Sequence, residues 1–200
     1  MARTRSSERE RGETRQRILS EAYSVFAERG YRGSSIDAVA RGAGLTRQGV
    51  LHHFASKQAL LLALLDARDR ELGNMPEPGE ESAGRMLDTA RAATSAILAQ
   101  RELVALAHAL SAEAAGEEHP AHEWLTRRYD RLRAALTDAF RVSFARGELE
   151  PRADPAVLAA LLLAATEGLE AQWLAQPDAV DVETSIAQLH AMIFDYLRPA

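Results

Sequence analysis

Arg47 and Gln48 open a short segment, Thr46 to about Phe54, whose residue types suit reading a nucleic-acid duplex. At the 3.6-residue helical period Arg47, Gln48, Leu51 and His52 share one side, while Val50, His53 and Phe54 share the other. An arginine can donate two hydrogen bonds to guanine O6 and N7, and a glutamine can pair with adenine N6 and N7. A leucine can touch a thymine methyl group. The opposite group has the size and apolarity to pack on neighbouring helices. Ser35 and Thr46 stand at the starts of two helical segments, where hydroxyls and free backbone amides suit phosphate oxygens.

These side chains need elements to hold them, and the preceding sequence supplies them. Thr14 can cap a first helix with Ile18, Ala22, Val25 and Phe26 at helical spacing, and Gly30 ends it as a left-handed C′ residue. Ser34-Ser35-Ile36-Asp37 predicts a capping box, with Ser34 as N-cap and Asp37 reaching back. The short second helix buries Ile36, Val39 and Ala40. Gly42-Ala43-Gly44-Leu45 makes a tight turn, and Thr46 caps the third helix. Two short helices joined by a glycine-containing turn form a helix-turn-helix pattern. Ser56 opens a leucine-rich fourth helix to about Leu72. Residues 1–13 have four arginines but no apolar periodicity, and they predict a disordered basic arm.

Charge follows the same division. The net charge is −5, yet residues 1–57 hold 11 Lys/Arg against 6 Asp/Glu and the remainder holds 13 against 23. A basic head on an acidic body is the asymmetry expected of a chain that meets a polyanion with one end.

Beyond a Pro/Gly-rich break at 74–81, every segment predicts helix: roughly 83–100, 102–115, 121–146, 155–176 and 182–197. Asp154-Pro155 is an N-cap followed by proline at N1. The fold class is therefore all-α with about nine helices. The expected organisation is an arm over 1–13, a helix-turn-helix domain over 14–60, and a helical ligand-binding and dimerisation domain over 61–200. Residues Ala156 to Ala165 are apolar all round and need cover on both sides. Ala160, Ala164, Gly168 and Ala171 make a small-residue stripe that allows close approach by another helix, leaving Leu158, Leu161 and Leu162 for the chain's own core. Ile186, Leu189, Ile193 and Leu197 give the last helix a second seam. Two such helices from each of two chains would form a four-helix bundle. Trp124, Tyr129, Phe140, Phe144 and Trp173, with the polar His108, Glu167 and Gln172, suit an apolar cavity with a few polar anchors.

Other chemistries lack their residues. There is no cysteine, which excludes disulfides, thiolate zinc sites and cysteine nucleophiles. No phosphate-cradling glycine loop and no grouping of nucleophile, base and orienter at telling spacing is present, so no enzyme and no cofactor is expected. Glu117, Glu118, His119, His122 and Glu123 compensate a helix dipole more readily than they hold a metal. No apolar run reaches the roughly 20 residues of a membrane span, and no signal peptide opens the chain, so a cytoplasmic location is expected.

The ordered set Phe26-Ala-Glu-Arg-Gly30-Tyr31, Ser34-Ser35-Ile36-Asp37-Ala38-Val39-Ala40, Ala43-Gly44-Leu45-Thr46 and His52-His53-Phe54-Ala55-Ser56-Lys57-Gln58-Ala59-Leu60-Leu61 resembles the DNA-binding domain of the tetracycline-repressor (TetR) family. The resemblance implies a phosphate contact at Lys57, the only lysine, and aligns His53 with the family histidine. Leu51 replaces the usual tyrosine and Gly49 the usual threonine or serine, so the tyrosine's contact does not carry over. The segments Gly147 to Pro155 and Glu167 to Leu174 resemble the C-terminal domain of one TetR subgroup, which implies a dimer through the last two long helices. What the resemblance implies is a homodimeric repressor of operator DNA, released by a small hydrophobic effector that tilts helix four. A helical accessory protein that retains the motif without binding DNA is the alternative from another class.

Overall fold

A computed structural model describes residues 2–71 and 81–199, and among them every regular element is helical. The expected break at 74–81 lies, but for Glu81, outside the described residues. The chain folds as two units, residues 1–71 with 106–124 and residues 72–105 with 125–200. The expected boundary after residue 60 thus moves to the end of the fourth helix, and a later segment returns to the first unit.

In the first unit, α1 (Ala2–Gly33), α2 (Ile36–Gly42), α3 (Arg47–His53) and α4 (Lys57–Glu71) share one core. Ile18, Ala22 and Phe26 of α1, Val39 of α2, Val50 of α3 and Leu60 and Leu61 of α4 are all essentially inaccessible. Two expectations are corrected here. The arm over 1–13 is helical from Ala2, because its charged residues continue α1 and Gly12 does not interrupt it, and Thr14 is an interior position rather than a cap. The N-cap of α2 is Ser35, whose side chain accepts from the Ala38 amide, while the Ser34 hydroxyl donates to the Tyr31 carbonyl. The backbone is already extended at Ser35, so the cap falls one residue later than the capping box predicts.

Gly30 interrupts α1 at φ 66°, as expected, and a Cβ there would lie 2.6 Å from Glu113 Oε1. In the turn before α3 only Gly44 takes a positive φ, 65°. Gly42 has no positive φ, and a Cβ there would meet the Glu21 carboxylate, the movable end of a flexible side chain.

The returning segment comprises the second part of α6 (Arg101–Ala114) and the connection into α7 (His122–Ala145). The His119 ring packs edge-on against Tyr31, 5.1 Å between centroids, and Trp124 Nε1 donates to Asp66 Oδ1 on α4. His119 Nε2 and Glu113 Oε2 are buried without hydrogen-bond partners, 3.7 Å from one another. Burial holds the His119 pKa below its ordinary value, against the opposing pull of Glu113, so the imidazole is neutral at neutral pH.

In the second unit α5 (Ala83–Leu98), α7, α8 (Pro155–Ala175) and α9 (Val182–Tyr196) surround Phe140. The Ala83 amide at the start of α5 donates to Ser143 Oγ on α7, and that hydroxyl donates to Glu148, so a buried side chain from another helix performs the cap. Asp154 caps α8 ahead of Pro155, as expected. Among the described residues α8 is the single helix long and apolar enough to cross a membrane by length and composition, and Leu158, Ala159 and Leu162 turn one side of it into the core.

The outer seam of α8 and α9 departs from expectation. Leu161, assigned to the chain's own core, is 59% exposed, and Val157 is 54% exposed. They join Ala164, Gly168 and Ala171 at alternating four- and three-residue spacing. Ile186 of α9 and Leu197 at its C-cap are buried in the chain's own core, whereas Leu189 and Ile193 pack against that core and stay partly exposed. Met192 and Tyr196 are the exposed pair instead. The reason is that α5 and α8 both pack on α9, which needs its most apolar stripe for them.

Candidate nucleic-acid interface

Helix α3 is seven residues long, and its two sides fall as the period predicts. Val50 and Phe54 are buried and His53 is half-buried, whereas Arg47, Gln48 and His52 are exposed and Leu51 is half-exposed. Thr46 Oγ1 accepts from the Gly49 amide at 3.0 Å and Ser35 Oγ accepts from the Ala38 amide at 3.2 Å. Each hydroxyl spends its oxygen on a cap and keeps its proton as a donor, which suits a phosphate oxygen at either site.

Arg47 Nη1 donates to Asp37 Oδ2 at 2.8 Å, bridging α3 to α2. Both side chains are more than half exposed, so the pair contributes about 0–1 kcal/mol and its loss would leave the fold intact. One donor of the guanidinium is engaged and four remain. Asp37, expected to complete a capping box, is one position too early for that and orients Arg47 instead.

Lys57, where the resemblance implies a phosphate contact, gives two of its three donors to the protein itself. Its ammonium donates to the carbonyls of Tyr31 at 2.8 Å and Ser34 at 3.0 Å, and lies 4.3 Å from the Tyr31 ring centroid. The Tyr31 carbonyl lies in the last turn of α1 and the Ser34 carbonyl just beyond it, and a cation there meets the negative end of the helix dipole. Lys57 therefore pins the start of α4 to the end of α1.

One contact has no counterpart in the sequence reading. Arg11, from the stretch expected to be disordered, brings Nη2 within 3.3 Å of His52 Nε2, and Arg15 stacks on the Phe54 ring with Cζ 4.8 Å from its centroid. His52 and His53 meet edge to face at 5.7 Å. Burial, then the positive field of His52, Arg11 and Arg15, holds the His53 pKa below its ordinary value. Residues before Thr14 carry no apolar periodicity, so nothing in the sequence signals the Arg11 contact.

The expected pocket residues are divided. His108 and Trp124 belong to the first unit, and the other six to the second. Phe140 is fully buried within the core and Phe144 packs against it, their centroids 6.3 Å apart. Trp124 is likewise a buried residue, tied to Asp66. Tyr129 donates to Glu167 Oε1 at 2.7 Å, joining α7 to α8 as two polar groups on apolar helices. Trp173 lies under the Arg101 guanidinium, 5.8 Å from its centroid, and Gln172 is exposed, bonded to the Gly168 carbonyl.

Known proteins resemble this arrangement over almost its whole length. The family profile of bacterial regulatory proteins of the tetR family matches residues 18–64, and that of the BetI-type transcriptional repressor C-terminal domain matches residues 82–198. The HTH-type transcriptional regulator UidR of Escherichia coli is 30% identical over 187 residues, covering 90% of this chain and 91% of that one. Among solved structures, GusR of Salmonella enterica is 28% identical with a TM-score of 0.70, over 91% of this chain and 95% of that one. NalD, the secondary repressor of the MexAB-OprM multidrug efflux pump in Pseudomonas aeruginosa, is 25% identical with a TM-score of 0.74, over 94% and 98%.

Proposed function

Because this chain belongs to the TetR family of DNA-binding transcriptional regulators, a class without catalytic activity, we propose that it is a homodimeric repressor released from its operator by a small, mainly apolar ligand. The observation that carries the DNA-binding part is the exposed side of α3. It presents Arg47, Gln48, Leu51 and His52 opposite a side anchored by Val50 and Phe54. A short helix fixed on one side and polar on the other suits the major groove.

Repression is supported by the match to a repressor-type C-terminal domain and by the likeness to NalD, itself a repressor. A second copy is supported by the exposed apolar seam of Val157, Leu161, Met192 and Tyr196. Release by ligand is supported by chain connectivity. Helix α6 begins in the second unit and ends in the first, where its last turn lies beside Gly30 of α1, the following turn meets Tyr31, and the first turn of α7 meets Asp66 of α4. A ligand that shifts α6 would move α4, and α4 carries the Lys57 clamp on α1.

A ligand of this kind must favour one state over another, so stabilisation and release are linked. Thermal-shift screening of small hydrophobic compounds should find some that raise the melting temperature. The same compounds should weaken binding to the DNA upstream of the protein's own gene. If every stabilising compound leaves DNA affinity unchanged, the ligand-release reading is wrong.

A further inference from the structure

We propose that Arg11, together with Arg15, His52 and His53, forms a phosphodiester-binding cradle that extends the DNA interface from the end of α3 onto the N-terminal part of α1. The inference rests on the regulator reading above and adds Arg11 and Arg15, which precede the family profile's first matched residue, 18, to the two histidines within it.

Arg11 and His52 lie 41 positions apart in sequence, yet Nη2 and Nε2 stand 3.3 Å apart at an exposed site. Arg15, one turn further along α1, is held over Phe54 at the end of α3, so the two arginines follow one face of α1 past the recognition helix. Among the described residues neither arginine has a carboxylate in ion-pair range, whereas their neighbour Arg9 is paired with Glu13 at 3.1 Å. Two guanidiniums and two imidazoles therefore converge where, among the described residues, no carboxylate pairs with them. Burial first, and then the field of His52, Arg11 and Arg15, holds the His53 pKa down.

The guanidinium donors of Arg11 and Arg15 that no carboxylate takes up suit an anion, and the polyanion that α3 meets is the DNA backbone. His52 lies five residues beyond Arg47, about 7–8 Å along the helix axis. Arg11 is thus well beyond the turn that carries Arg47 and Gln48, on the side where the strand continues past the bases being read. A guanidinium there is suited to bidentate contact with phosphate oxygens, a contact without sequence information.

The test uses Arg11→Ala and Arg11→Lys with the full chain, titrated by fluorescence anisotropy against a random-sequence duplex between 50 and 200 mM salt. Arg11 is exposed, so both variants should melt with the wild-type protein. Loss of one phosphate contact in each of two subunits should flatten the log–log salt dependence by about 1.8. Over that fourfold salt range the advantage of wild type over Arg11→Ala should shrink by roughly tenfold. Arg11→Lys, which keeps the charge, should keep the wild-type slope. An Arg11→Ala slope equal to wild type, with wild-type binding intact, would overturn the cradle while leaving the regulator reading standing. A wild-type protein that binds no duplex at any salt would overturn that reading and the cradle with it.

Discussion

Leu161→Arg should convert the protein to a monomer by light scattering and reduce its operator affinity by at least about a hundredfold. Leu161 and Val157 stand exposed on α8 in line with the small residues Ala164, Gly168 and Ala171, and Met192 and Tyr196 stand exposed on α9. If two copies meet there through a twofold axis, each substitution enters the interface twice. An unpaired charge withdrawn from water carries a penalty of several kcal/mol, so the doubled cost exceeds what a modest interface supplies. A monomer then binds one half-site without the second contact that linkage makes intramolecular, a loss of about 10²–10⁴ in avidity. The fold should survive, since the residue makes little of the core. Leu161→Ala should weaken the dimer far less, which separates lost area from introduced charge. A folded Leu161→Arg variant that remains dimeric at micromolar concentration would place the interface elsewhere.

Phe140→Ala should lower the stability of the protein by about 3–5 kcal/mol, read by urea denaturation. Phe140 is wholly buried in a core that also holds Ala83, Met86, Leu87, Leu136, Leu149, Leu158 and Leu197. Truncation there leaves a cavity that rigid helices on several sides cannot close. The expectation distinguishes two readings of the same aromatic residue. As the wall of a ligand pocket, Phe140 would face an existing space, and its removal would change ligand affinity at small cost to the fold. As core, it sets the packing on which α5, α7, α8 and α9 depend. A loss of less than about 1 kcal/mol would return Phe140 to the pocket.

The contrast between these two residues explains what the sequence could and could not disclose. Helix positions and the recognition side of α3 follow from local rules, namely period, glycine at positive φ, and Asp154-Pro155 as a start. Those rules act within a few residues, and they hold here. Which of two apolar stripes on one helix meets the chain's own core is decided by partners distant in sequence. Both stripes of α8 and α9 are apolar, so Leu161 and Leu197 exchange the roles that periodicity assigns them. The same limit hid the work of Lys57. Its spacing from the motif resembles that of a phosphate ligand, but the carbonyls it holds belong to Tyr31 and Ser34, 26 and 23 residues away. Arg11 was hidden for the opposite reason. A charged stretch without apolar periodicity gives no sign of helix until the core residues from Ile18 onward extend their helix back through it.

The central claim is that the exposed side of α3 reads DNA sequence, and one titration tests it most directly. Wild type and Arg47→Ala are titrated by fluorescence anisotropy against the duplex upstream of the protein's own gene and against a scrambled duplex at the same salt. The account predicts that wild type prefers its own upstream duplex by about 10³-fold or more. The Asp37 pair that Arg47 gives up is exposed and worth little, so the substitution should report on DNA rather than on the fold. Arg47→Ala should cost about 1–3 kcal/mol on the upstream duplex and almost nothing on the scrambled one. Equal wild-type binding to both duplexes, or an equal loss on both with Arg47→Ala, would contradict it.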